Sequence, residues 1–386
     1  MEQQSYKSLI EQLVEKYREL DMNNDNGRTK QFHIVSANLH HYLSAIAYNR
    51  HEEIFKKILM YQKLSIVEQD SIYALDNADI ENFSLQTIKQ LKNYPSIICT
   101  FHLGSYRLIN LLLVKQHVPF SLVISKKTVD TQGDTFKALY HQFGDNEDEN
   151  DFKLIDAETP SAVLQMFREL KKGKSLVIYI DGNTGAGKNS KLNENCWYID
   201  FLNQQLAART GIGFLSYAAN VPVLPVISYR PCMERITLRF FDMIFPDLKT
   251  DRNVYSRNLT QQLYDIAAPF IQEYPEQWEA WLYLHKVARV IKPLQVNTDT
   301  GALVSAGMIR FNSAYFGLFK TEEKYYLFDK SDYMSYLIPN DIYILLRQAA
   351  LNPVDKQGFP VNLLPEFFQR KVLITAYNET PCSVGK

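Results

Sequence analysis

With 386 residues, 46% of them hydrophobic and 22% charged, the chain is long enough to bury a large core without staples, as one main domain with smaller additions. Its 42 Lys and Arg against 43 Asp and Glu leave no net field to favour nucleic acid or an anionic membrane as partner. Four cysteines, at 99, 196, 232 and 382, follow no metal or disulfide spacing, and with no signal segment at the N-terminus the sequence reads as a reduced, cytoplasmic protein.

Residues 1–95 read as a helical N-terminal region. SLIEQLVEKYREL, VSANLHHYLSAIAY and EEIFKKILMYQKL space their apolar residues three and four apart with charges between. His33, His40, His41 and His51 fall here without a ligand pattern, so no metal site is expected. The pattern changes at Ser96. SIICTF, FSLVIS, FKLIDA and SLVIYID are short apolar strands, separated by the helical stretches SYRLINLLLVKQ, FKALYHQF and SAVLQMFRELKK. A helix over QLAARTGIGFLSYAA, a strand over PVLPVISY, a further strand in ERITLRFFDMIF and two more helices over 254–290 follow. Strands alternating with helices predict an α/β domain over 96–293, a mostly parallel sheet flanked by helices, with ligands beyond the carboxyl ends of the strands. Residues 294–386 predict a small α+β module: a hairpin in AYFGLFKTEEKYYLFD with TEEK as its turn, an amphipathic helix in IPNDIYILLRQAA, and a closing element in LPEFFQRKVLI. The longest apolar run, LINLLLV, is far short of the ~18 residues of a membrane helix, which leaves at most peripheral membrane contact.

The stretch DGNTGAGKNS carries Gly182, Gly187 and Lys188 on the spacing of a nucleotide phosphate loop behind a strand. Asn189 stands where the magnesium-binding Ser or Thr belongs, and NSKLNENCW has no helix signal to aim an N-terminus at phosphates. The nucleotide reading fails. What remains is Asp181 at a strand's carboxyl end, either capping a turn or facing a ligand.

Four segments together resemble one family. IICTFHLGSYRLINLLL, VIYIDGNTGAGKN, IDFLNQQLAARTGIGFLSYAANVPVLPV and YPEQWEAWLYLHKV are similar, in order, to the blocks of the bacterial lipid A biosynthesis acyltransferases, within the glycerolipid acyltransferase superfamily. The resemblance covers about 95–290. It implies that a His at a strand end takes a proton from an acceptor hydroxyl or amine attacking an acyl thioester, with a carboxylate five residues on holding the imidazole. His102 matches the base. The carboxylate position holds Arg107, whose charge would lower the basicity of His102 if close. Three readings stay open: Asp181 orients His102 instead; Arg107 binds an anionic group of donor or acceptor; or the transfer site has become a binding or altered-reaction site.

The same resemblance makes Gly104, Ser105, Asn183, Gly185, Lys188, Arg209 and Thr210 candidate substrate contacts. The glycines would offer backbone N–H groups to an oxyanion. Thr210 either caps its helix or, with Arg209, faces the donor. Lys188 and Lys191 would meet a phosphopantetheine arm or an acidic carrier. It implies no cofactor beyond the acyl donor itself, acyl-coenzyme A or an acyl-carrier protein; the lack of a membrane anchor argues for a soluble acceptor such as a metabolite, a peptide or a carrier-bound intermediate rather than full lipid A. FGLFKTEEKYYLFDKSDYMSYLIPNDIYILLRQA resembles PqqD-like peptide-recognition domains, which implies a peptide acceptor bound through 294–386.

Overall fold

The computed structural model describes residues 3–22, 26–143, 152–182, 196–291 and 307–376. The chain opens with helices α1 (Gln3–Arg18), α2 (Asn26–Tyr42), α3 (His51–Glu68) and α4 (Ile72–Asp76), then β1 (Asp79–Glu81) and α5 (Leu85–Asn93). Strands and helices then alternate: β2 (Ile97–Thr100), α6 (Leu108–Lys115), β3 (Phe120–Ile124), α7 (Lys126–Phe143), β4 (Phe152–Asp156), α8 (Ala162–Lys171) and β5 (Ser175–Tyr179). Next come β6 (Cys196–Phe201), β7 (Gln204–Arg209), α9 (Gly211–Ala219), β8 (Val223–Cys232), β9 (Arg235–Phe240), α10 (Arg252–Glu273) and β10 (Ala288–Arg289). The C-terminal part holds β11 (Met308–Phe311), β12 (Phe316–Thr321), β13 (Lys324–Asp329), β14 (Ser335–Ile338), α11 (Asn340–Leu351), β15 (Val354–Asp355), α12 (Leu364–Gln369) and β16 (Leu373–Thr375).

The packing divides the chain into two units, Met1–Leu20 with Glu53–Ile291 and Asp21–Glu52 with Lys292–Lys386. Residues 21–52, which the sequence groups with the N-terminal helices, thus belong with the C-terminal module.

The first unit is an α/β fold around a seven-stranded sheet in the order β1-β9-β8-β2-β5-β3-β4. All neighbours run parallel except β8 and β9. β2 and β3 are buried at every position, so their sequences are continuous apolar runs rather than alternating ones. The whole of α6 from Leu108 to Val114 is buried and shares a core with Ile98, Leu122, Val177 and Val226 from the sheet.

Three elements differ from the sequence expectation. QQLAAR is a strand, not the start of a helix: β7 pairs antiparallel with β6, and Gln204, Leu206 and Ala208 face inward in turn. Its alanines favour a helix, but the two-residue period decides once a partner strand is present. Residues 79–81 are not helical but add β1 to the sheet edge beside β9. Residues 254–290 hold one α-helix, not two; after α10 the chain breaks at Pro275 into 3-10 turns. There the backbone bonds across to another segment: Gly104 N–H donates to the Gln277 carbonyl (3.1 Å) and Glu279 N–H to the His102 carbonyl (2.9 Å).

In the second unit, α2 packs on a meander of β12, β13 and β14, the TEEK turn joining the first two. A second sheet, β15-β11-β16, shares a core with α11. Lys330 is fully buried. Its Nζ donates to Ser36 Oγ (2.9 Å) and the Ser313 carbonyl (2.8 Å) and sits 4.4 Å from the Tyr48 ring centroid. Burial drives its pKa well below the usual lysine value. The unfolded chain then binds a proton more readily than the folded one, so stability falls as pH drops from the ordinary lysine pKa toward the folded one. The unfolding midpoint is therefore expected to rise between about pH 7 and about pH 10, and the rise to be smaller in Lys330→Met. Identical slopes in melts of the two proteins would refute the burial account.

Candidate active site

β2 and β5 are neighbours in parallel register, with Cys99 opposite Ile178 and Thr100 opposite Tyr179. Two residues past each register end come His102 and Asp181, so the sheet itself brings them side by side at its carboxyl edge. His102 Nδ1 lies 2.7 Å from Asp181 Oδ1, and the His102 backbone N–H donates to both carboxylate oxygens at 3.1 Å. Trp278 Nε1 donates to Oδ2 at 2.7 Å. Each donor constrains the carboxylate, and the carboxylate constrains the ring. With Nδ1–H donated to Asp181, the free Nε2 is left as a proton acceptor.

The electrostatics follow from that contact. Burial opposes a charge on the imidazole, but Asp181, by charge and hydrogen bond, and Glu279 at longer range outweigh it. The His102 pKa is raised, with Arg107 pulling the other way. The Asp181 side chain is 2% exposed and that of His102 18%, so the pair opens outward through the imidazole alone. Gly182 lies against the ring: a Cβ there would stand 3.9 Å from His102 Cε1, an ordinary contact.

Aromatic rings frame the imidazole. Tyr106 and Tyr179 lie 4.9 and 5.0 Å from it, centroid to centroid, and 5.2 Å from each other. Asn110 donates to the Tyr179 hydroxyl (3.0 Å), and Glu279 accepts from Tyr106 (3.3 Å) and Gln62 (2.8 Å). Trp278 packs against Trp281 (4.7 Å) and Phe201 (5.3 Å), both buried.

Arg107 stands just ahead of α6, where the resemblance expects a carboxylate. Its Nη1 donates to Gln132 Oε1 (3.0 Å) and more weakly to Gln69 Oε1 (3.4 Å), and its Cζ sits 5.2 Å from the Tyr106 ring centroid. Its buried Nε has no hydrogen-bond partner among the described residues.

Gly104 and Ser105 are both buried. Gly104 holds φ +59° and its N–H is spent on Gln277, so it is not free for an oxyanion. A Cβ there would come within 2.9 Å of the Ser228 carbonyl oxygen and Tyr229 Cα. Gly104→Ala is accordingly expected to cost about 1–3 kcal/mol in denaturant unfolding, from strain and a backbone clash together. Ser105 is buried and donates to Glu68 Oε2 at 2.6 Å while accepting from Arg230 Nε at 3.2 Å. Arg209 is exposed at the end of β7, and Thr210 is buried at the N-cap of α9 without a side-chain cap hydrogen bond. Asn183, Gly185, Lys188 and Lys191, with most of the glycine-bearing loop, lie outside the described residues.

Sequence reasoning missed the hydrogen bond from Trp278, itself a buried core residue, to Asp181, and the buried pair Glu68 and Arg230. A buried indole N–H needs an acceptor, so Trp278 beside a predicted ligand edge was a usable signal. Glu68 and Arg230 sit 162 positions apart in elements with no shared motif, and nothing local links them.

The model of a family described as bacterial lipid A biosynthesis acyltransferase matches residues 32–287 of the chain. No curated protein matches it. Among solved structures, the 1-acyl-sn-glycerophosphate acyltransferase PlsC of Thermotoga maritima is similar, with 10% identity and a TM-score of 0.31, over 64% of this chain and 97% of that one. The family match stops short of 294–386. Among the described residues, no helix is long and apolar enough to cross a membrane.

Proposed function

The chain belongs to the bacterial lipid A biosynthesis acyltransferase family, and from that premise we propose that it transfers an acyl group from a thioester to an amine or hydroxyl, with His102 as general base. The observation that carries the reading is the Nδ1 contact with Asp181 at 2.7 Å; in the neutral ring that donates Nδ1–H to Asp181, Nε2 is the proton acceptor. In the reaction Nε2 takes the proton from the acceptor as its nitrogen or oxygen attacks the thioester carbonyl carbon. The tetrahedral intermediate collapses, the carbon–sulfur bond breaks, and the imidazolium returns its proton to the departing thiolate. Asp181 stabilises the imidazolium formed between the two steps.

This chain performs with Asp181 what relatives with a carboxylate five residues after the His are expected to do from α6. The donor is an acyl-carrier protein or acyl-coenzyme A; the acceptor is a peptide, a metabolite or a carrier-bound intermediate.

The test is thiol release from a panel of acyl-coenzyme A and acyl-carrier thioesters, wild type against His102→Ala. Release that depends on His102, even as slow hydrolysis, supports the reading. No release from any donor replaces it with a site that binds a carrier or peptide without transfer.

A further inference from the structure

The guanidinium of half-buried Arg107 is placed unlike that of buried Arg230. Arg230 is neutralised by Glu68. Arg107 is held instead by two neutral amide oxygens and the Tyr106 side chain, with Tyr179 and Glu279 acting on it through space and its Nε without a hydrogen-bond partner among the described residues. A half-buried guanidinium with spare donors and no carboxylate in its hydrogen-bonding shell suits an oxyanion, whose planar or tetrahedral oxygens match its fork. Tyr106 places that guanidinium near the base, because its ring centroid lies 4.9 Å from that of the His102 imidazole and 5.2 Å from Arg107 Cζ.

We infer that Arg107 is an anion-recognition residue of this site, and that the acceptor carries a carboxylate or phosphate close to its nucleophilic group. The anion belongs to the acceptor rather than to the donor. With the thioester carbonyl at His102, a donor's phosphate lies at the far end of its pantetheine arm, whereas Arg107 lies one ring away. The position that would otherwise carry a second carboxylate beside the base thus becomes a specificity determinant, and Asp181 makes this exchange affordable by supplying the orienting charge from β5. The word acceptor rests on the acyl-transfer reading; the anion site does not.

The test reads His102 directly and needs no acceptor. Carbethoxylation of His102 by diethyl pyrocarbonate, followed by peptide mass spectrometry, is measured with inorganic phosphate, with acetate, and with chloride at matched ionic strength. In wild type, saturating phosphate or acetate is expected to slow modification about tenfold relative to chloride, with the loss of this protection in Arg107→Gln and partial retention in Arg107→Lys. Protection by phosphate alone points to a phosphorylated acceptor, and by acetate alone to a carboxylate-bearing one. Equal rates in all three salts in wild type would overturn the inference without recourse to any variant, as would protection that survives in Arg107→Gln. Arg107-dependent protection in a protein that releases no thiol would remove the transfer reaction and leave the anion site standing.

Discussion

Thiol release by His102→Ala is expected to fall about 10²–10⁴-fold below wild type, the range that a positioned general base contributes. Asp181→Asn should approach that loss while leaving the imidazole in place. An Asn amide can turn its N–H₂ toward Nδ1, which then becomes the acceptor and puts the proton on Nε2, the wrong nitrogen for a base. The pH profile distinguishes this from a general loss of structure. On the proposed reading His102 works as the neutral base, and its pKa is raised because Asp181 outweighs burial. The rate should therefore climb with pH through an apparent pKa above the ordinary imidazole value of about 6.5. In Asp181→Asn the residual activity should climb at lower pH, since the charge that holds the proton is gone. A profile that keeps its midpoint, or full activity in His102→Ala, would rule out the assigned roles.

Glu68→Gln is the largest stability effect we expect. Glu68 and Arg230 are both fully buried and ion-paired, and Tyr6, Ser105 and the Met233 carbonyl complete the network. The main chain of Arg230 is clamped as well, because the Gln277 side chain accepts from its N–H (2.8 Å) and donates to its carbonyl (2.7 Å). Removing one charge leaves the Arg230 guanidinium buried and uncompensated, at a cost of about 3–5 kcal/mol in denaturant unfolding. The double substitution Glu68→Leu with Arg230→Met should cost less than either partner alone, because no orphan charge remains. Additive losses in that cycle would count against a coupled pair. Ser105 links the network to the turn that carries His102, so Glu68→Gln should also lower catalytic rate in the fraction that stays folded.

Much of the site could be read from the chain because strand ends and turns are local. SIICTFHLG and SLVIYIDG each show a buried strand followed by a polar residue and a glycine, and their parallel pairing predicts that these polar residues meet at one edge. Asp181 as a partner for His102 is one of three readings that the sequence leaves open, and the register of β2 and β5 is what sets the two side by side. The helix expected over QLAARTG failed because alanine-rich segments follow their partners, and β6 is the partner. For Gly104 and Ser105, candidate substrate contacts by resemblance, the turn packs one against β8 and joins the other to the Glu68 pair, which their sequence positions do not reveal.

By itself the sequence determined the alternating α/β pattern, the order of the blocks and the place of His102 at a strand end, since these depend on periodicity and on residues a few positions apart. Only the tertiary structure decided which carboxylate serves His102, that Trp278 holds that carboxylate, that Glu68 neutralises Arg230, and that residues 21–52 pack with the C-terminal module. These choices join positions dozens to hundreds of residues apart. Such pairs are selected by sheet order and by the cost of leaving a buried donor or charge unmatched, and neither is written in any local window of the chain.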